Sequence, residues 1–394
     1  MANNDSFNDD ASNSEQELDL REQLLSCHDK SNRKMMCELF DMKAGKFISA
    51  SQISNVKTDI FQYPCYGGNG LRGYVAKNNK DGEYVLVGRQ GALCGNVCYV
   101  NESFYATEHA VVVADKGCCI PRYTFHLLTF ADLNQYKTSG AQPGLSVSRL
   151  EKIELYVPSL ERQQEIVDIL DTFTDAISNL EEELALREKQ FEYYLHKILS
   201  IDELSQLDSC TYRIELLGNI GKICMCKRIM KDQTNTTSGV PFYKIGTFGK
   251  EADAYISYDL YNEYKSKFSF PKKGEVLISA SGTIGRTVIY NGEDAYFQDS
   301  NIVWIENSED IVLNKYLYYS YMIMEWVTEG GTIKRLYNSN LAKMKIVVPS
   351  IERQQEIVEI LDTFEAMIAN IKEEIALRTK QYEYYREKLL SFGK

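Results

Sequence analysis

The chain has 394 residues, 44% hydrophobic and 25% charged, enough for two ordinary domains with cores of their own. No stretch approaches the roughly 18–20 uninterrupted apolar residues of a membrane span, and the acidic, Asn/Ser-rich N-terminus does not read as a secretory signal. The net charge of −12 argues against a uniformly basic nucleic-acid binder.

The placement of that charge matters more than its total. Residues 36–157 carry 12 Lys/Arg against 11 Asp/Glu, and residues 208–348 carry 17 against 16. The acid sits in the N-terminal tail and in 158–207 and 349–394, so two near-neutral regions remain free to present basic faces. Ten cysteines without a signal segment read as reduced thiols of a cytoplasmic protein. Cys94/Cys98 and Cys224/Cys226 are not spaced like zinc knuckles, and His28, His109, His126 and His196 fall in no ligand pattern, so no metal is expected.

In chain order, residues 1–35 are polar and expected to be disordered, with a short helix near Leu18–Leu25. Residues 36–157 read as a mixed α/β domain, with strands at Tyr84–Gly88 and Val111–Val113 and a helix over Tyr123–Phe130. Residues 158–207 read as a long helix. Apolar residues at Ile166, Leu170, Phe173, Ile177, Leu180, Leu184, Phe191, Tyr194 and Ile198 alternate steps of four and three, a heptad seam. Residues 208–348 repeat the α/β pattern, with strands at Glu275–Ser279 and Ile302–Ile305 and a Tyr-rich helix over Leu313–Met324 that belongs in a core. Residues 349–394 repeat the helix, its seam running from Ile357 to Leu389.

The repeat organises the whole chain. Pro158 to Ser200 returns 191 positions later as Pro349 to Ser391, with about two-thirds of positions identical. The register runs back more weakly through Gly91/Gly282, Tyr99/Tyr290 and Leu150/Leu341, and near the start the offset shortens by about fourteen, placing an insertion in the second copy between roughly 225 and 275. Each repeat is thus a divergent globular unit followed by a nearly constant helix. Forty helical residues span on the order of 60 Å, and one such helix cannot bury its seam alone, so the two copies are expected to pair antiparallel about a pseudo-two-fold axis. Arg187 and Arg378 interrupt the seam, where a polar residue can fix register. Pro158-Ser159 and Pro349-Ser350 suit helix entry.

Several chemistries lack their residues. The sequence has no GxxxxGK[ST] loop, no GxSxG elbow, no HExxH pair, and no proline followed by proline or aspartate. Runs such as Glu181-Glu182-Glu183 read as solvated helix faces. Catalysis by this chain is not expected.

Two variable units, each ending in a Gly-x-Gln-x-x-x-Leu segment or a relative and a strand into Val-Pro-Ser (Gly140 to Pro158 and Gly331 to Pro349) and followed by Glu161–Val167 or Glu352–Val358, resemble the specificity subunit of type I restriction-modification enzymes. The Tyr66-Gly67-Gly68-Asn69-Gly70-Leu71-Arg72-Gly73-Tyr74 loop resembles segments of that family's target recognition domains. The likeness covers nearly everything after residue 36. It implies an α+β fold of two mixed α/β target recognition domains joined by two long antiparallel coiled-coil helices. Each domain would read half of an asymmetric, bipartite site in double-stranded DNA. It also implies docking to two methyltransferase subunits and to motor-nuclease (restriction) subunits, with S-adenosylmethionine, ATP and Mg in those partners and none in this chain.

Within that frame the polar residues of exposed-looking loops are the candidate DNA contacts. In the first domain they are Asn69, Arg72, Arg89, Gln90, Gln142, Ser146 and Ser148. In the second they are Ser281, Thr283 and Arg286 around Gly282 and Gly285, then Gln298, Ser300 and Asn301, then Lys334, Arg335, Asn338 and Asn340. Glycine at 282 and 285 would let backbone approach DNA closely. The rival readings are a coiled-coil scaffold with two ligand-binding domains and no DNA role, or an enzyme with an unrecognised site.

Overall fold

The structure, a computed structural model, describes residues 33–91, 93–139, 143–200, 212–329 and 334–391. The expected helix near Leu18–Leu25 and the candidate Gln142 lie outside the described residues. The chain forms two compact units that divide at Glu181/Glu182 and Glu373/Glu374, so each unit owns part of both long helices.

In unit 1, β1 (Arg33–Met35) leads into a short α1 (Met36–Leu39) and β2 (Phe40–Ala44). Then come β3 (Tyr63–Gly67), β4 (Gly70–Val75), β5 (Glu83–Gly88), β6 (Val97–Asn101), β7 (Tyr105–Ala106) and β8 (Ala110–Asp115). Helices α2 (Pro121–Phe130) and α3 (Val147–Leu150), β9 (Glu154–Tyr156) and the long α4 (Leu160–Ile198) follow. Arg33–Met35, which the composition assigns to the polar tail, is a strand because it pairs antiparallel with β9.

A four-stranded sheet in the order β2-β8-β5-β6 lies beside a three-stranded sheet in the order β4-β3-β7. Strand period two divides the apolar side chains between two cores. Val85, Val87, Val111 and Val113 face α2 and the long helices, whereas Leu86, Val112 and Val100 face Phe104, Ala106 and β3.

Unit 2 repeats this plan with β10 (Tyr212–Leu216), α5 (Leu217–Ile220), β11 (Gly221–Cys224), β12 (Val240–Tyr243), β13 (Tyr255–Ile256) and α6 (Tyr258–Lys267). The rest is β14 (Val276–Ser279), β15 (Thr287–Ile289), β16 (Tyr296–Phe297), β17 (Ile302–Asn307), α7 (Asn314–Met322), α8 (Asn338–Lys343), β18 (Lys345–Pro349) and α9 (Ile351–Leu390). Its sheets run β11-β17-β14-β15 and β13-β12-β16, strand for strand the order of unit 1. The parallel pairs β3/β7 and β12/β16 also correspond. The Tyr-rich segment is a core helix, with Tyr316, Tyr319 and Tyr321 buried. The insertion is narrower than the sequence suggested. Pro64 and Tyr66 occupy on β3 the places that Pro241 and Tyr243 occupy on β12, so the extra residues fall between β12 and β14 and include α6, which unit 1 lacks.

The long helices belong to the domain cores. Ile166 and Leu170 of α4 are completely buried in the core of unit 1 together with Leu389 and Leu390 of α9, and Ile357 and Leu361 are buried likewise in unit 2. Full burial of each such side chain contributes about 1.5–3 kcal/mol, which makes the helix ends part of each domain. Within unit 1 Phe173 stacks on Tyr385 at 5.1 Å, and within unit 2 Tyr194 stacks on Phe364 at 5.4 Å. Early residues of one helix thus meet late residues of the other, the antiparallel pairing expected of the seam. Ile177, Leu180, Leu184, Ile368, Ile371 and Ile375 are only half-buried, as two helices alone allow. Arg187 and Arg378 bond within their own helices, to Glu183 and Gln190 and to Glu374 and Gln381, and among the described residues their polar ends have no partner across the seam.

Candidate nucleic-acid interface

Each recognition unit is fixed to its helix by one glutamine. Gln163 is wholly buried; its Oε1 accepts from the Ile120 N–H at 2.8 Å and its Nε2 donates to the Cys118 and Pro158 carbonyls at 3.0 Å. Gln354 does the same in unit 2, accepting from Leu313 N–H at 2.8 Å and donating to Ile311 and Pro349 carbonyls at 2.9 Å. Both ends of each amide are satisfied, and the partners are the N-cap and preceding residues of α2 or α7 and the entry to α4 or α9. Ser159 and Ser350 accept from the N–H groups of Arg162 and Arg353, capping the two helices alike.

Next to each clip the chemistry changes. In unit 1, Asp171 accepts from Arg122 Nε at 2.8 Å and contacts buried His126 Nε2 at 2.7 Å. Burial opposes the Asp171 carboxylate, but bonds from His126 and Arg122 and the Arg122 charge prevail and lower its pKa. In unit 2, Lys315 meets Asp362 at 3.1 Å and Glu365 at 3.2 Å, while the Tyr319 hydroxyl donates to both carboxylates. Burial pulls Lys315 down, and its carboxylate partners outweigh that and raise its pKa.

At the far rim of each unit the backbone is again duplicated. The Leu145 N–H donates to the Arg89 carbonyl at 2.8 Å, as the Leu336 N–H does to Ala280 at 2.9 Å. Bridges join Gln90 to Gly144 and Ser281 to Arg335. The candidate segments therefore occupy matching places.

What they present differs. In unit 1 a cleft of about 750 Å³ is walled by the β3–β4 turn, the end of β5 and residues 143–144. The exposed side chains of Asn69, Arg72 and Gln90 line it, as does His109. The turn rests directly on β5: a Cβ on Gly88 would lie 1.9 Å from the Gly68 carbonyl oxygen. Arg89 sits at the same strand end, half-buried, its Nε without a partner among the described residues. Ser146 and Ser148 bond to each other at 3.0 Å at the start of α3 and do not line the cleft.

In unit 2 the corresponding groups are tied to one another. Ser281 Oγ donates to Asn301 Oδ1 at 2.9 Å, and Arg335 donates to the Ser300 carbonyl and hydroxyl at 2.9 and 2.8 Å. Gln298 accepts from the Ile245 N–H, Arg286 donates to the Phe248 carbonyl, and Asn340 donates to Glu329. Thr283, Lys334 and Asn338 are exposed. Gly285 has a different reason from the one its sequence suggested: with φ +85°, it makes room for Trp326, whose Nε1 would lie 2.0 Å from an added Cβ. The cysteines Cys94, Cys224 and Cys226 are packed in the apolar cores.

The sequence reading missed His109. In unit 1 the Arg89 N–H donates to the His109 carbonyl, and in unit 2 the Ala280 N–H donates to that of Asn301. His109 is thus the counterpart of Asn301, but ungapped alignment pairs it with Ser300, because unit 2 has one extra residue between β16 and β17. The slip from a 191-residue offset at Thr107/Gln298 to 192 at Val113/Ile305 was the available signal.

Two copies of one scaffold, each clipped to a long helix and each carrying a different polar rim, define a duplicated recognition protein. The chain belongs to the type I restriction modification DNA specificity domain family, whose model matches residues 31–187 and 212–377. It is similar to a Haemophilus influenzae protein provisionally named a type I restriction enzyme specificity subunit, 47% identical over 346 residues, covering 84% of this chain and 88% of that one. The EcoR124I/EcoR124II specificity subunit of Escherichia coli is 31% identical over 323 residues, covering 75% and 78%. Among solved structures, the type I restriction-modification S subunit of M. genitalium shares the fold with a TM-score of 0.64 at 16% identity, over 93% of this chain and 98% of that one. Among the described residues no helix is long and apolar enough to cross a membrane.

Proposed function

We propose that this chain is the DNA-reading, non-catalytic subunit of a cytoplasmic type I restriction-modification complex. It recognises an asymmetric, two-part site in double-stranded DNA, one half per unit. The observation that carries this reading is the pairing of identical frames with dissimilar rims. Sheet order, helix clip and rim backbone are duplicated, whereas one unit presents Asn69, Arg72 and Gln90 and the other Ser281, Ser300, Asn301 and Arg335. Amides and guanidinium groups suit purine edges in the major groove, and hydroxyls suit bases or phosphates. Arg89, Ser146, Ser148, Thr283, Arg286, Gln298, Lys334, Asn338 and Asn340 are the flanking candidates.

The paired helices dock two methyltransferase subunits, which bind S-adenosylmethionine. Motor-nuclease subunits, with ATP and Mg, complete the assembly. A scaffold with no DNA role would account for the helices but not for membership of this family. Sequencing of methylated adenines in cells expressing the chain with its cognate methyltransferase subunit tests the proposal. An asymmetric bipartite motif that disappears with this chain supports it, and methylation unchanged by its deletion defeats it.

A further inference from the structure

We infer that His109 is a specificity-determining residue of the first half-site, contacting a base edge from the wall of the unit 1 cleft. The inference rests on the DNA-reading proposal and adds a residue and a place to it. His109 shares the cleft with Asn69, Arg72 and Gln90, whose side chains make no hydrogen bond among the described residues. Its backbone is fixed on the rim: the carbonyl accepts from the Arg89 N–H at 3.0 Å, and the N–H meets Thr107 Oγ1 at 3.4 Å. Its ring is oriented by Glu108, whose Oε1 lies 3.2 Å from Nε2. That leaves Nδ1, which lies beneath the surface without a partner among the described residues. A buried, unsatisfied ring nitrogen is costly, and rotation of the half-exposed ring toward a bound base edge removes the cost.

Unit 2 shows what satisfaction of this position looks like. There the counterpart Asn301 is bonded to Ser281, the counterpart of Gln90. In unit 1 the His109 and Gln90 side chains both line the cleft and do not bond to each other among the described residues, so Gln90 is open to a ligand and rotation of the imidazole away from Glu108 brings its nitrogens to the same ligand. The ligand chemistry is a hydrogen-bonding base edge in the major groove, because a cleft walled by Asn, Arg, Gln and His matches the groups that read such edges.

The test is methylated-adenine sequencing with wild-type chain, H109A and H109N, each co-expressed with the cognate methyltransferase subunit. The wild-type motif first establishes whether the chain reads a bipartite site at all; without one, the proposed function fails and the inference falls with it. Given that motif, H109A should lose about ten-fold or more of its discrimination at one position of one half-site, leaving the other half-site and the gap unchanged. H109N, which keeps a hydrogen-bonding group there, should shift or partly keep the preference. An unchanged motif at full methylation overturns the inference. So does a uniform loss of methylation at all sites in both variants, which marks a structural role only.

Discussion

The joint that fastens each unit to its helix is built twice from the same atoms, and the rim that each unit presents is built twice from different ones. At the joint, Gln163 and Gln354 make matching sets of three hydrogen bonds that agree to about 0.1 Å. At the rim, an open cleft lined in unit 1 by exposed polar side chains that make no hydrogen bond among the described residues stands against a self-bonded cluster in unit 2. A duplicated protein can change what it reads without changing how the reader is held, because the two tasks lie at separate places on the same scaffold.

The largest effect should come from breaking the joint. Gln163→Ala strands two carbonyls and one N–H in the interior, and each unsatisfied group costs about 1–3 kcal/mol, so a loss of about 3 kcal/mol or more is expected. Gln354→Ala should cost the same within about 1 kcal/mol. Gln164→Ala, which removes only an exposed bond to Asp168, should cost almost nothing. Denaturant titration followed by hydrogen exchange in α2 and α7 measures all three. Strongly unequal losses for the two clip variants would break the symmetry claimed for the joint.

A smaller effect separates the units by pH. Asp171 has a lowered pKa, so its contribution is present above the unfolded value and is lost as pH falls through the folded one, below about pH 4. Lys315 has a raised pKa, so its contribution is present below its unfolded value and is lost as pH rises through the folded one, above about pH 10.5. Hydrogen exchange should therefore show α2 loosening first in acid and α7 first in alkali, with Asp171→Asn removing the acid-side loss in unit 1. The same order of loosening in both units would contradict the assignment.

The smallest effect concerns the seam. Arg378 pairs with Glu374 on its own helix at 2.7 Å, partly exposed, so Arg378→Leu should change stability by about 0.5 kcal/mol or less. A large loss measured by denaturation would restore a register-fixing role to that residue.

Much of this organisation is legible in the sequence. Heptad spacing from Ile166 to Ile198 and its return from Ile357 predict the paired helices, and the continuous apolar runs Val85–Val87 and Val111–Val113 read as strands, which the structure buries on both faces. Other features are hidden for physical reasons. A glutamine near the start of an amphipathic helix reads as a surface residue, and only the fold shows that Gln163 reaches the Ile120 N–H. Gly285 reads as a place where backbone approaches DNA, and the neighbour it makes room for, Trp326, is forty-one positions away. His109 is masked by a single-residue insertion that shifts the register of its repeat. The Gly-rich Tyr66–Tyr74 segment reads as a loop, whereas it is a hairpin of β3 and β4 in which only Gly68 and Asn69 lie outside the strands; its turn rests on β5 at Gly88 and walls the cleft with Gln90.

The most direct test of separable joints and readers is the methylated-adenine motif obtained with Arg72→Ala and with Arg335→Ala, each alongside the cognate methyltransferase subunit. Arg72→Ala should alter or weaken one half of the bipartite motif and Arg335→Ala the other, with the gap between halves constant in both. Changes in the same half, or in both halves from either substitution, would contradict the assignment of one half-site to each unit.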